Sequence, residues 1–142
     1  MVEAFGAYRE GMTTEDGATR LEHILGVGLA DSVVRQWPQM NEVVRGRDLV
    51  ARVEGEFDTF TLQVGRRMRC QDTLISEWSC NYGDGRIYRN VTIAELRDGV
   101  AVLVTDYWGE PANIPEWRRA LTSRLDMPAD GVWPDTDHLL HN

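Results

Sequence analysis

Three runs rich in Val, Ile, Thr, Tyr and Trp fill the middle of the chain, from Gln71 to Pro111, and Asp84-Gly85 and Asp98-Gly99 separate them. Both residues of an Asp-Gly pair tolerate the positive φ of a type I′ turn, so apolar runs around such a pair predict hairpins. The pattern predicts three consecutive antiparallel strands, roughly over 72–82, 86–97 and 100–109. Two-residue turns then set the registers. Arg97 would face Val100, Glu95 would face Val102 and Val91 would face Asp106; across the earlier turn Asn90 would face Ser79. Because side chains alternate, Glu77, Ser79, Asn81, Asn90, Thr105 and Tyr107 would share one face with Ile75, Ala94, Leu96 and Leu103. The opposite face would carry Val91, Ile93, Val102, Val104 and Asp106. A wall that is half apolar and half polar, with small residues in its middle, suits a pocket. A single β-bulge would exchange the faces locally.

Upstream the pattern changes period. Val2 to Met12 is weakly helical. Thr14-Glu15-Asp16 reads as an N-cap and acidic first turn, followed by Leu21, Ile24 and Leu25 at helical spacing, with His23 toward solvent and Gly26 and Gly28 as the stop. Ser32–Trp37 and Glu42–Arg45 read as short strands. Gly46–Glu56 reads as a helix with Leu49, Val50 and Val53 inward. From 59 to 70, Phe60, Leu62 and Val64 alternate with polar residues and lead into Arg66, Arg67 and Arg69, a solvated cluster. After the meander, Pro115 opens a last helix to about Leu125. Residues 1–127 form one domain in this reading, and 128–142 a loose tail. Helices first and a long antiparallel meander later give an α+β fold.

Composition narrows the partners. The chain has 142 residues, 42% hydrophobic and 27% charged, with a net charge of −8. An acidic surface argues against nucleic acid, whose phosphates demand basic faces, and against an anionic membrane. No run approaches the ~20 apolar residues of a spanning helix, and Met1 opens no signal-peptide pattern, so a cytoplasmic protein is expected. Cys70 and Cys80 lie most of a strand apart, too far for a disulfide. His138 and His141 have no companion ligands, so no metal site and no cofactor is expected.

Several motifs in sequence order carry a resemblance. They are Trp37-Pro38-Gln39 with Glu42 and Gly46, Glu77-Trp78, Tyr82-Gly83-Asp84-Gly85, Glu95-Leu96-Arg97-Asp98-Gly99, Asp106-Tyr107-Trp108-Gly109-Glu110-Pro111 and Trp117-Arg118. Together, over most of residues 14–120, this chain resembles nuclear-transport-factor-2-like (NTF2-like) proteins of the SnoaL-like polyketide cyclase group. The resemblance implies a cone, a strongly curved antiparallel sheet wrapped around N-terminal helices, with a hydrophobic pocket at the open end. It also implies a homodimer through the sheet; the face with Val91, Ile93, Val102 and Val104 is the expected interface. The group includes cyclases, isomerases, dehydratases, epoxide hydrolases and ligand-binding proteins, so fold alone leaves function open.

No catalytic motif of the cyclases or isomerases matches residue by residue. The register makes Glu77 the candidate acid/base, since a carboxylate on an apolar inner face would have its proton affinity raised; a carboxylate bonded to an arginine is the alternative. Tyr107 could donate to a carbonyl or enolate oxygen, or simply form an aromatic wall. Trp37, Asn81, Asn90 and Thr105 are the candidate ligand-binding residues. Asp106, the alternative acid/base should Glu77 face outward, and Trp78 are expected outside. The expected ligand is a small apolar or aromatic molecule. The protein is then either a cofactor-independent isomerase, cyclase or dehydratase working by proton transfer on an apolar carbonyl compound, or a non-catalytic binding or accessory protein with the same cone.

Overall fold

Ala18, Leu21 and Leu25 recur on one side of a helix and are buried to within 1%, which is why α1 (Gly17–Leu25) forms and docks as it does. The computed structural model describes residues 2–4, 17–57, 60–83 and 85–125. The N-cap expected at Thr14, the Asp84 half of the first Asp-Gly turn and the tail with His138 and His141 lie outside them. Val2–Ala4, expected in a weak helix, is a strand, β1, paired with β4. The helix stops where Gly26 takes φ +77°. Its last carbonyls accept hydrogen bonds from the sheet. Arg67 Nε donates to Ile24 O at 3.1 Å, Arg67 Nη2 donates to His23 O, and Ser76 Oγ donates to Ile24 O at 2.7 Å. A cation at a helix C-terminus also complements the helix dipole. Arg67 is therefore not part of a solvated cluster. His23 is half-buried, and burial and the neighbouring Arg67 lower its pKa.

Two further strands follow, β2 (Leu29–Trp37) and β3 (Glu42–Arg45), joined by a 3-10 turn at Pro38–Met40. Then come α2 (Arg47–Gly55), β4 (Thr61–Cys70), β5 (Thr73–Asn81), β6 (Tyr88–Arg97), β7 (Val100–Gly109) and a one-turn α3 (Glu116–Arg119). The sheet order is β1-β4-β5-β6-β7-β2-β3. β2 runs parallel to β7, so the sheet is mixed where an antiparallel one was expected. Helices α1 and α2 lie on one face, and the fold is the α+β cone that the motif order implies. α3 ends far short of Leu125. Among the described residues no helix is long and apolar enough to cross a membrane.

Two register details decide which residues face inward. Arg97 pairs with Val100 around Asp98 and Gly99, both at positive φ, as a tight turn requires. Beyond Leu96–Ala101, however, the ladder slips and Glu95 pairs with Leu103. Val102 is the extra residue of a bulge, which reverses the faces of the rest of β7. Asp106 then opposes Thr92, both buried, while Leu103, Thr105 and Tyr107 turn outward with Val91 and Ile93. Across the preceding hairpin, Trp78 pairs with Asn90 and Glu77 with Val91, one step from the two-residue register. The connection between these strands is longer than a two-residue loop. That step turns Glu77 outward and Trp78 inward. The expected dimer face changes as well, since the Val102 bulge leaves Val104 fully buried inside the cone.

The core has two parts. One is Leu21, Leu25, Val33, Val50, Ala94, Ala101 and Val104 between the helices and the sheet. The other is Ile24, Phe60, Leu62, Val64, Trp78 and Cys80 toward β4 and β5. Inside α2 the inward residues are Val50 and Glu54, whereas Leu49 is 51% exposed. Gly26→Ala tests the helix stop. A Cβ there would sit 3.0 Å from the Arg67 guanidinium at a φ side chains avoid, so urea unfolding should show a loss of about 1–2 kcal/mol.

Candidate functional site

A chain of buried polar side chains crosses the cone. Arg20 on α1 donates from Nε to Glu54 Oε1 at 2.7 Å. Arg35 on β2 donates from Nη1 to the other Glu54 oxygen at 2.6 Å and from Nε to Asp106 Oδ2 at 2.5 Å. Thr92 Oγ1 donates to Asp106 Oδ1 at 2.6 Å, and Trp78 Nε1 donates to Thr92 Oγ1 at 2.8 Å. Arg20, Arg35, Glu54 and Asp106 are each at most 5% exposed. Charges this deep persist only when paired and hydrogen-bonded. Here two guanidinium groups meet two carboxylates. Burial works to lower the pKa of Arg35, but Asp106 and Glu54 outweigh it and hold it above its ordinary value.

Local sequence explains each placement. Val33, Arg35 and Trp37 alternate on one face of β2, so Arg35 must point where its apolar neighbours point. Glu54 follows Val50 by one helical turn. Asp106 is brought in by the Val102 bulge.

This chain forms the floor of a cavity of about 250 Å³. Arg35, Glu54 and Asp106 reach its surface, with Asn90 and Cys80 beside them. The walls are aromatic: Trp37, Phe60, Trp78, Tyr82, Tyr88 and Trp108. Phe60 stacks near Trp78 with centroids 6.4 Å apart, and Tyr82 meets Phe60 and Tyr88 edge-on at 5.0 and 5.5 Å. The two arginines lie against rings, Arg20 at 4.2 Å from the Phe60 centroid and Arg35 at 4.8 Å from Trp37, the geometry of cation–π contact. Burial pushes up both the Cys80 thiol and the Tyr82 hydroxyl, so both stay protonated and neutral near pH 7.

The sequence-derived candidates divide. Trp37 and Asn90 line the cavity, and Asn90 donates to Cys80 Sγ at 3.6 Å. Tyr107 touches the lining but belongs to the outward set of β7 and is 42% exposed. Glu77 is not in the cavity; it pairs with Arg66 on the outer face. Asn81 caps the following turn through its Oδ1, which accepts from the Gly83 amide at 2.7 Å. Thr105 accepts from Gln36 Nε2 at 2.9 Å on the outer side. Asp106 and Trp78, expected outside, are inside. Arg20, Arg35 and Glu54 were absent from the candidate set, although their positions in the apolar periodicity mark them as inward. Among the described residues no group of three or more His, Cys, Asp or Glu stands together to hold a metal.

No protein-family model matches the sequence, and no curated protein does. Solved structures match. An NTF2-like protein of unknown function from Burkholderia xenovorans LB400 is 26% identical, with a TM-score of 0.63 over 78% of this chain and 84% of that one. A protein provisionally named a ketosteroid isomerase, from Kribbella flavida DSM 17836, is also 26% identical, with a TM-score of 0.65 over 84% and 87%. The chain has the NTF2-like fold. A third match, in fold alone, is a protein with a ketosteroid isomerase-like fold from Catenulispora acidiphila DSM 44928, in complex with trimethylamine. It is 12% identical with a TM-score of 0.53, over 68% of this chain and 78% of that one. Within this NTF2-like cone the buried floor and the outer pair differ sharply in energetic weight. Glu54→Gln leaves Arg20 and Arg35 short of a buried anion and should cost about 3–5 kcal/mol. Glu77→Gln removes a partner from Arg66, which is 64% exposed, and should cost under about 1 kcal/mol. Chemical denaturation of the two variants reads the difference.

Proposed function

We propose that this chain is a small-molecule-binding NTF2-like domain that takes a compact, flat, mostly apolar ligand into its aromatic cavity. One observation carries the reading: a cavity of about 250 Å³ walled by aromatic rings ends on a polar floor. Such apolar walls with few convergent polar groups are the general form of a ligand site. The Trp37-Pro38-Gln39 segment and the run from Asp106 to Pro111 support the SnoaL-like group within the fold.

A second reading is proton transfer on a carbonyl compound without a cofactor, as an isomerase, cyclase or dehydratase would perform it. Asp106 favours it, because this carboxylate, unlike Glu77, reaches the cavity. Asp106 would take the proton, and the Arg35 guanidinium would steady the oxygen on which charge develops. Tyr107 could add a donor from the mouth. Glu77 has no access to the ligand and drops out as the base.

2-Tetralone, an aromatic ring fused to a ketone, tests both readings. Binding should quench the emission of Trp37, Trp78 and Trp108 saturably and slow thiol labelling of the buried Cys80. Unchanged emission and labelling up to the solubility limit would remove the binding reading. Deuterium exchange beside the carbonyl, followed by NMR, should exceed the buffer rate and return to it in Asp106→Asn if the site is catalytic; exchange at the buffer rate throughout leaves binding alone.

The outer sheet face supports a homodimer. Val91, Ile93, Leu103 and Tyr107 are only partly covered there, and apolar faces of that kind mark partner surfaces. Sedimentation should give twice the chain mass of 16.2 kDa; a monomer at micromolar concentration rules it out.

A further inference from the structure

The floor of the cavity has an unused donor beside an unused acceptor. Arg35 spends Nε on Asp106 and Nη1 on Glu54. Its Nη2 makes no hydrogen bond among the described residues, nor is it sealed inside the protein. Arg35 lines the cavity while remaining only 3% exposed, so that nitrogen is left for whatever enters. Asp106 accepts one bond on each oxygen, from Arg35 and from Thr92. A carboxylate has about four acceptor positions, so it retains capacity toward the cavity it lines. Glu54 also accepts one side-chain bond on each oxygen, both from arginines, and at 2% exposed against 5% for Asp106 it is the less accessible of the two carboxylates.

Charge then selects among ligands. The lining holds Arg35, Glu54 and Asp106, and Arg20 behind Glu54 balances the second carboxylate. The cluster as a whole is neutral. A ligand ion of either sign would bring an unbalanced charge against floor groups that are at most 5% exposed, which is costly. A purely apolar ligand would leave the free Arg35 donor desolvated and unpaired, which is also costly.

We propose that the cavity selects a neutral, flat ligand carrying a carbonyl oxygen with an N–H or O–H on the neighbouring atom, the oxygen received by Arg35 and the donor by Asp106. Lactams and hydroxy-carbonyl aromatics are the chemical class. The proposal rests on the ligand-binding reading above and adds the identity of the polar end.

Four probes of similar outline separate the two. 2-Quinolone offers both donor and acceptor, N-methyl-2-quinolone only the acceptor, naphthalene neither, and 2-naphthoate an anion. Tryptophan quenching and Cys80 protection should rank 2-quinolone above N-methyl-2-quinolone and that above naphthalene, with about tenfold or more between the extremes. 2-Naphthoate should bind more weakly than 2-quinolone. In Asp106→Asn the cluster gains one net positive charge, so the order should invert, with 2-naphthoate tightened and 2-quinolone weakened. If no probe quenches or protects, ligand binding itself fails. If all bind but naphthalene or N-methyl-2-quinolone equals 2-quinolone, or 2-naphthoate leads on the unaltered protein, binding stands and the donor–acceptor proposal falls. The unaltered protein decides this alone should Asp106→Asn not fold.

Discussion

The cone is closed by a line of charge. Arg20, Glu54, Arg35 and Asp106 join α1, α2, β2 and β7, and Thr92 and Trp78 extend the line to β6 and β5. Each link is short and buried, so no member can leave without stranding a charge in a medium that solvates it poorly. An apolar layer could hold the same elements together at various offsets. A guanidinium bonded to two carboxylates from different elements fixes their relative positions much more narrowly. The helices therefore sit over the sheet in one arrangement, and the cavity has one floor.

The same line separates two kinds of interior. On one side Leu21, Leu25, Val33, Val50, Ala94 and Val104 are packed without exposure to solvent. On the other, Phe60, Trp78, Tyr82 and Tyr88 are arranged around space. Rings with few rotatable bonds can hold a cavity open, because their edge-on and stacked contacts set their planes. The apolar core supplies cohesion, and the aromatic end supplies a shape.

Much of this was legible in the chain. The Asp98-Gly99 turn, the three strands, the helix stop at Gly26 and the order of motifs all point to the cone. What failed was parity. Alternation along a strand is a counting argument, and one extra residue, Val102, inverts everything beyond it. The longer connection after β5 does the same to Glu77 and Trp78. The bulge carries no distinctive residue, because Val is as much at home in a bulge as in a ladder. The second gap was buried charge, since Arg35 and Glu54 were assigned to neither face. Arg35 stands between Val33 and Trp37 in strict alternation, and Glu54 stands one turn after Val50. Periodicity placed both inside; only their charge argued otherwise, and pairing between distant segments removed that objection. Such pairing spans positions as far apart as Arg35 and Asp106 and leaves no local trace.

A site whose floor is also the fold's fastening constrains how a lineage can change. Replacing Glu54 or Asp106 to suit a new molecule would endanger the whole chain at once. The rim is free of that burden. Met40 comes from the turn after β2, Phe57 from the end of α2, and Trp108 from the last residues of β7, and all three are partly open to water. Drift at those positions can reshape the opening while the interior stays as it is. Descendants of such a chain would differ first in the outline of what they admit and last in the polar group they grip.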